Sequence, residues 1–195
     1  MSTTIGAGQP AFSIGSMDRM ETMSNSSVIT LAMKYELPLL AANLSRADAG
    51  KVIQDGLSSV LDATLISRYG LDKPLPDAVM APQMDEVRTG HCGMLPEDML
   101  EPMARAQVAR DVVMAETLRP FASRGVVLIA GNGHVRRDIA VPYWLRMQGL
   151  KSWSVGFVEQ AGTPGEFDRE RRIDAIEHPD PCVGLGKKMD IPASG

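Results

Sequence analysis

Compact apolar runs alternate along this chain with stretches of helical period. Residues 39–42 (Leu39-Leu40-Ala41-Ala42), 126–130 and 153–158 are apolar runs of strand length. Between them, apolar residues recur at helical spacing. Val52, Ile53, Leu57, Val60, Leu61 and Leu65 predict a helix that stops near Gly70. Ser45 followed by Asp48 predicts its N-terminal cap. A short helix is predicted over 28–36, another over 84–89, a long one over 102–121 and a further one over 142–147. The stretch 71–82 holds three prolines and reads as a loop. An edge strand is predicted over 173–176.

Strands that alternate with helices imply βαβ units and a parallel sheet. The expected fold is therefore α/β, a mostly parallel sheet with helices on both faces. Residues 1–26, rich in Ser, Gly, Thr and Met without periodicity, read as a flexible N-terminal arm. Residues 27–182 read as one α/β domain, and 183–195 as a flexible tail. Ligands of such sheets sit beyond the carboxyl ends of the strands. That edge would carry Asn43 and Arg46 after one strand, and Gly131-Asn132-Gly133-His134-Val135-Arg136-Arg137-Asp138 after another.

Composition narrows the function. The chain has 195 residues, 44% hydrophobic and 23% charged, with net charge −4, so no basic field points to nucleic acid or anionic lipid. Aromatics at 5% argue against base stacking. No apolar run has the length of a membrane span. The two cysteines, Cys92 and Cys182, form no CxxC pair and suggest neither a disulfide framework nor a zinc ribbon. The N-terminus lacks the pattern of a signal peptide, so the chain as written would remain cytoplasmic.

Three features carry candidate chemistry. Gly131 and Gly133 relieve a tight strand-to-loop turn; the third glycine of a dinucleotide fingerprint would fall on Arg136. His134 can ligate a metal or act as a base, and His91 stands in a turn beside Cys92. On the long helix, Met103, Gln107, Asp111, Met114 and Leu118 share one stripe, while Glu101, Arg105, Glu116 and Arg119 lie on the far side. Gln107 and Asp111 are thus placed in the buried stripe. An unpaired buried carboxylate costs several kcal/mol, so Asp111 needs a ligand site or a cation such as Arg136 or Arg46.

The strings LPLLAANLSR (37–46), GHCGMLPEDM (90–99), AQVARDVVMAETL (106–118) and LIAGNGHVRRD (128–138), followed by Val141-Pro142 and by PDPC (179–182), resemble the ChaN-like haem-binding proteins. Their superfamily also holds the Tiki and TraB proteins and the erythromycin esterases. The resemblance spans residues 28–182. It implies an α/β fold and a haem or iron role at the cell envelope, usually in an exported lipoprotein. It also implies two G-x-x-H motifs. The second is Gly131–His134; the first, after the first strand, has no counterpart. The resemblance therefore describes an N-terminally truncated ChaN-like domain, with a second copy or a partner chain to supply the missing motif. It suggests a binding protein rather than an enzyme, with haem iron as the cofactor or another divalent metal in its place. Implied ligands are His134, His91 and Tyr143, with Gly131, Gly133, Arg136, Asp138, Asn43, Arg46, Gln107 and Asp111 around them. The alternatives are a metal-dependent hydrolase of the same superfamily and an inactive remnant.

Overall fold

The computed structural model describes residues 11–14, 26–160, 162–175, 180 and 182–183. Strands and helices follow one another in the order β1 (Ala11–Ile14), α1 (Ser26–Lys34), β2 (Leu39–Ala41), α2 (Arg46–Asp55), α3 (Ala63–Arg68), α4 (Asp77–Gly90), α5 (Glu97–Leu118), β3 (Val126–Ile129), α6 (Val141–Met147), β4 (Val155–Val158) and β5 (Arg169–Arg172). Every strand pair is parallel, in two sheets of order β2-β1-β3 and β4-β5.

The first strand falls within the stretch expected to be a flexible arm. Residues 11–14 pair with β2 through Phe12 opposite Leu39 and with β3 through Phe12 opposite Val127. A strand therefore precedes β2 in this chain and separates it from β3. Four residues with serine among them give too short an apolar run to read as a strand. The expected tail lies, from residue 184 on, outside the described residues. The strand foreseen over 173–176 falls instead at β5, whose four residues are all exposed and charged. Backbone pairing with β4 recruits them, a tertiary choice that side-chain pattern does not encode. Ile176 lies outside the described residues.

Helix boundaries follow local chemistry. Ser45 caps α2 as foreseen: its Oγ accepts from the Asp48 backbone N–H at 3.0 Å. The helix foreseen to run on to Gly70 instead breaks at Gly56, which adopts φ 83°, and restarts as α3 under the cap of Asp62. The stretch 71–82 is only partly loop. α4 starts at Asp77 and carries Pro82 inside it. Likewise α5 starts at Glu97, before the foreseen start, and carries Pro102. Glu97 and Asp98 in its first turn suit the helix dipole.

α5 is the central helix. It packs against α2, α4 and α6, so burial extends well beyond the single foreseen stripe. Leu100, Ala104, Val108, Val112, Met114 and Ala115 are all fully enclosed. Around it, Val52, Tyr69, Val79, Val141 and Trp144 complete the core. Glu116, expected on a solvated face, is a partly buried hub: it accepts from Arg68 at 2.6 Å, from Arg119 at 2.8 and 2.9 Å and from the Tyr69 hydroxyl at 3.2 Å. Small residues on α5 let its neighbours approach closely, which draws the flanks of the helix inside.

Cys92 and Cys182 form a disulfide across 90 residues of sequence. The spacing of the two cysteines in sequence gives no sign of this bridge. The bond fastens the chain at 182 to the turn that follows α4. That turn needs left-handed backbone at Cys92 (φ 59°) and Gly93 (φ 67°). Among the described residues no helix is long and apolar enough to cross a membrane.

Candidate functional site

β3 ends at Ile129, and the chain then makes a tight helical turn over Asn132–Val135. Asn132 fixes this turn. Its carboxamide donates to the Phe157 carbonyl at 2.6 Å and accepts from the Phe157 N–H at 3.3 Å. It thus mimics a strand neighbour and ties the end of β3 to β4. His134 is thereby turned inward against α5.

The imidazole of His134 meets the carboxylate of Asp111, with Nδ1 and Oδ1 2.7 Å apart. Asp111 is 1% exposed, whereas the His134 side chain is 23% exposed. The second carboxylate oxygen accepts from Gln83 Nε2 at 3.2 Å, and the same nitrogen donates to the Ile139 carbonyl at 3.3 Å. Burial pushes the Asp111 carboxyl up from its ordinary value; the hydrogen bonds from His134 and Gln83 and the charge of Arg110 pull the other way. A carboxylate that accepts from Nδ1–H leaves Nε2 of a neutral imidazole with its lone pair free, the arrangement that prepares a histidine to ligate a metal.

These groups line a cavity of about 190 Å3. α4 and its end supply Gln83, Glu86, Val87, Gly90 and His91; α5 supplies Gln107 and Asp111; the turn supplies Gly133 and His134. His91 donates through Nδ1 to the Val87 carbonyl at 2.8 Å, so it too keeps Nε2 free when neutral. Of the residues singled out in sequence, the structure therefore gathers His134, His91, Asp111, Gln107 and Gly133 in one place.

The others lie elsewhere. The expectation that Arg136 pairs with Asp111 does not hold. Arg136 is engaged by Asp138 at 2.7 Å, Glu86 at 2.5 Å and Glu166 at 3.3 Å, and Asp138 faces it rather than the cavity. Asn43 and Arg46 follow β2, which β1 holds away from β3 by two strand spacings, roughly 9–10 Å. Arg46 is exposed, and the buried Asn43 Oδ1 has no hydrogen-bond partner among the described residues. Tyr143 stacks edge-on against Trp144 at 5.0 Å and lies under Arg146. Gly131 does not line the cavity. Two partners were missed in sequence, Gln83 and Glu86. Gln83 stands between Val79 and Val87 at four-residue spacing, all three buried, the same signal that exposed Asp111.

The donor set suits an iron porphyrin better than a bare ion. No group of three or more His, Cys, Asp or Glu able to hold a metal ion occurs among the described residues. A porphyrin brings its own four nitrogens and needs only an axial donor such as His134. A larger apolar groove of about 720 Å3 runs between β3 and β4, lined by Val127, Trp153 and Phe157 among others, and no His, Tyr, Cys or Met is among its described lining residues.

Residues 24–145 match the family described as haem-binding uptake, Tiki superfamily, ChaN. The chain belongs to this ChaN family. A solved structure titled "Cofacial heme binding to ChaN of Campylobacter jejuni" shares the fold at TM-score 0.58 and 16% identity, covering 82% of this chain and 72% of that one. No curated protein matches the chain. The ChaN family match runs from α1 into α6 and takes in Gln83, His91, Asp111 and His134.

Proposed function

We propose that this chain binds haem through His134 and serves haem or iron uptake or handling. The observation that carries this reading is the buried Asp111 carboxylate against Nδ1 of a partly exposed His134. Family membership supports haem as the ligand. The cavity, at about 190 Å3, falls below the roughly 300–1,000 Å3 of pockets that enclose a drug-sized ligand. A haem would lie across its mouth with one face left over. The ChaN relative is described as binding haem cofacially, and a second copy of this chain presenting its own haem would cover that face. His91, on the same rim, is the second candidate donor.

The Cys92–Cys182 bridge supports an oxidising compartment, in keeping with the exported habit of the family and against the cytoplasmic expectation. The test is a haem titration followed at the Soret band, with wild type, His134→Ala, His91→Ala and Tyr143→Phe each first checked by circular dichroism. The reading expects His134→Ala to lose most affinity and Tyr143→Phe to keep it. Equal binding by wild type and His134→Ala would overturn the ligand assignment.

A further inference from the structure

Gln83 is the least expected member of the cluster. It is 4% exposed, deep between α4, α5 and the segment after the His134 turn. Its carboxamide nitrogen is placed between two acceptors, Asp111 Oδ2 at 3.2 Å and the Ile139 carbonyl at 3.3 Å. Only the NH2 end can occupy that position. Turning the amide over would set its oxygen against the Ile139 carbonyl, which cannot donate. The backbone thus fixes the amide, and the amide in turn requires an acceptor at Asp111 Oδ2.

We propose that Gln83 is a positioning residue that, through Asp111, fixes the orientation of the His134 ring and so where its Nε2 lone pair points. Either oxygen of an ionised carboxylate can only accept; with Oδ2 held by Gln83, Oδ1 accepts from Nδ1–H at a fixed position, and the lone pair falls on Nε2. Without Gln83 the carboxylate can rotate, and the ring loses its fixed orientation. This rests on the reading of His134 as the haem ligand, although the orientation itself belongs to the ligand-free protein.

Two variants test it. Gln83→Met keeps the length of the side chain and removes both donors. Asp111→Asn leaves Gln83 in place. Its carboxamide oxygen must then accept from Gln83, so its NH2 faces His134 and donates to Nδ1, which moves the ring proton to Nε2. The primary readout is the 15N spectrum of the His134 imidazole without ligand; the second is haem affinity at the Soret band. Wild type is expected to show Nδ1 protonated. Gln83→Met is expected to keep Nδ1 protonated, since the carboxylate can only accept, and to bind haem about 10–100-fold more weakly, the usual effect of removing such an outer partner. Asp111→Asn is expected to show Nε2 protonated.

A folded Gln83→Met with the wild-type haem affinity overturns the proposal. If Gln83→Met does not fold, Asp111→Asn decides: Nε2 protonated supports it, and Nδ1 protonated overturns it. If wild type binds no haem, the reading of the site fails, while the ligand-free spectra still decide the role of Gln83.

Discussion

Asp111 and His134, 23 residues apart in sequence, share a 2.7 Å hydrogen bond that joins the middle of the central helix to the turn after β3. One partner is sealed in the core and the other reaches the surface. The charge that α5 could not carry alone is held by a ring that solvent and ligand can reach.

Asp111→Leu separates support from stability. It strands the Gln83 amide without its acceptor but leaves no buried cation, since His134 can stay neutral. The expected cost is about 1–3 kcal/mol, that of an unsatisfied buried donor, rather than the roughly 3–5 kcal/mol of a broken buried ion pair. Haem affinity should fall as well. Urea unfolding beside a haem titration measures both.

The Cys92–Cys182 bridge closes a long loop. Removing it with Cys92→Ser, or with a dithiol reductant, should lower stability by about 2–5 kcal/mol. The check is the shift of the urea midpoint with and without reductant. Because Cys92 follows His91, haem affinity should also drop if His91 contributes to the rim.

Glu116 sets one pH dependence. The Arg119 hydrogen bonds, followed by those from Arg68, hold its carboxyl below the ordinary value of 4.5, against the opposing effect of partial burial. Its stabilisation is therefore complete above that value and is lost as pH falls through the depressed one. Glu116→Gln should cost about 1 kcal/mol at neutral pH, and the gap to wild type should close in acid. Urea midpoints across that range read the sign directly.

Gly156 lies under Phe167, where an added Cβ would come 2.6 Å from the ring. Gly156→Ala should push the ring out and loosen β5 from β4, at a cost of about 1–3 kcal/mol. Faster amide exchange along β4 and β5, with the rest of the chain unchanged, would show it.

The sequence made β2, β3, β4 and the inward carboxylate of α5 legible because each rests on a local signal: an apolar run, or a polar residue in a buried stripe. His134 and Asp111 could both be singled out, but their pairing could not, because it depends on how the turn after β3 meets α5. β1 was missed because only pairing with two neighbours makes AFSI a strand. With β1 in place, Asn43 moves a strand further from His134 than expected. Arg136 does not reach Asp111 because three carboxylates hold it, Asp138 beside it and Glu86 and Glu166 from distant segments that local pattern does not connect. Cys92 and Cys182 gave no spacing motif, so only the fold brings them together.

His134 is the residue on which the proposed haem binding rests. A haem titration of the ligand-free wild type against His134→Ala, followed at the Soret band, is its most direct measurement. Saturable binding by wild type, with most affinity lost in a folded His134→Ala, is the expected result. Equal affinity in the two proteins would contradict it.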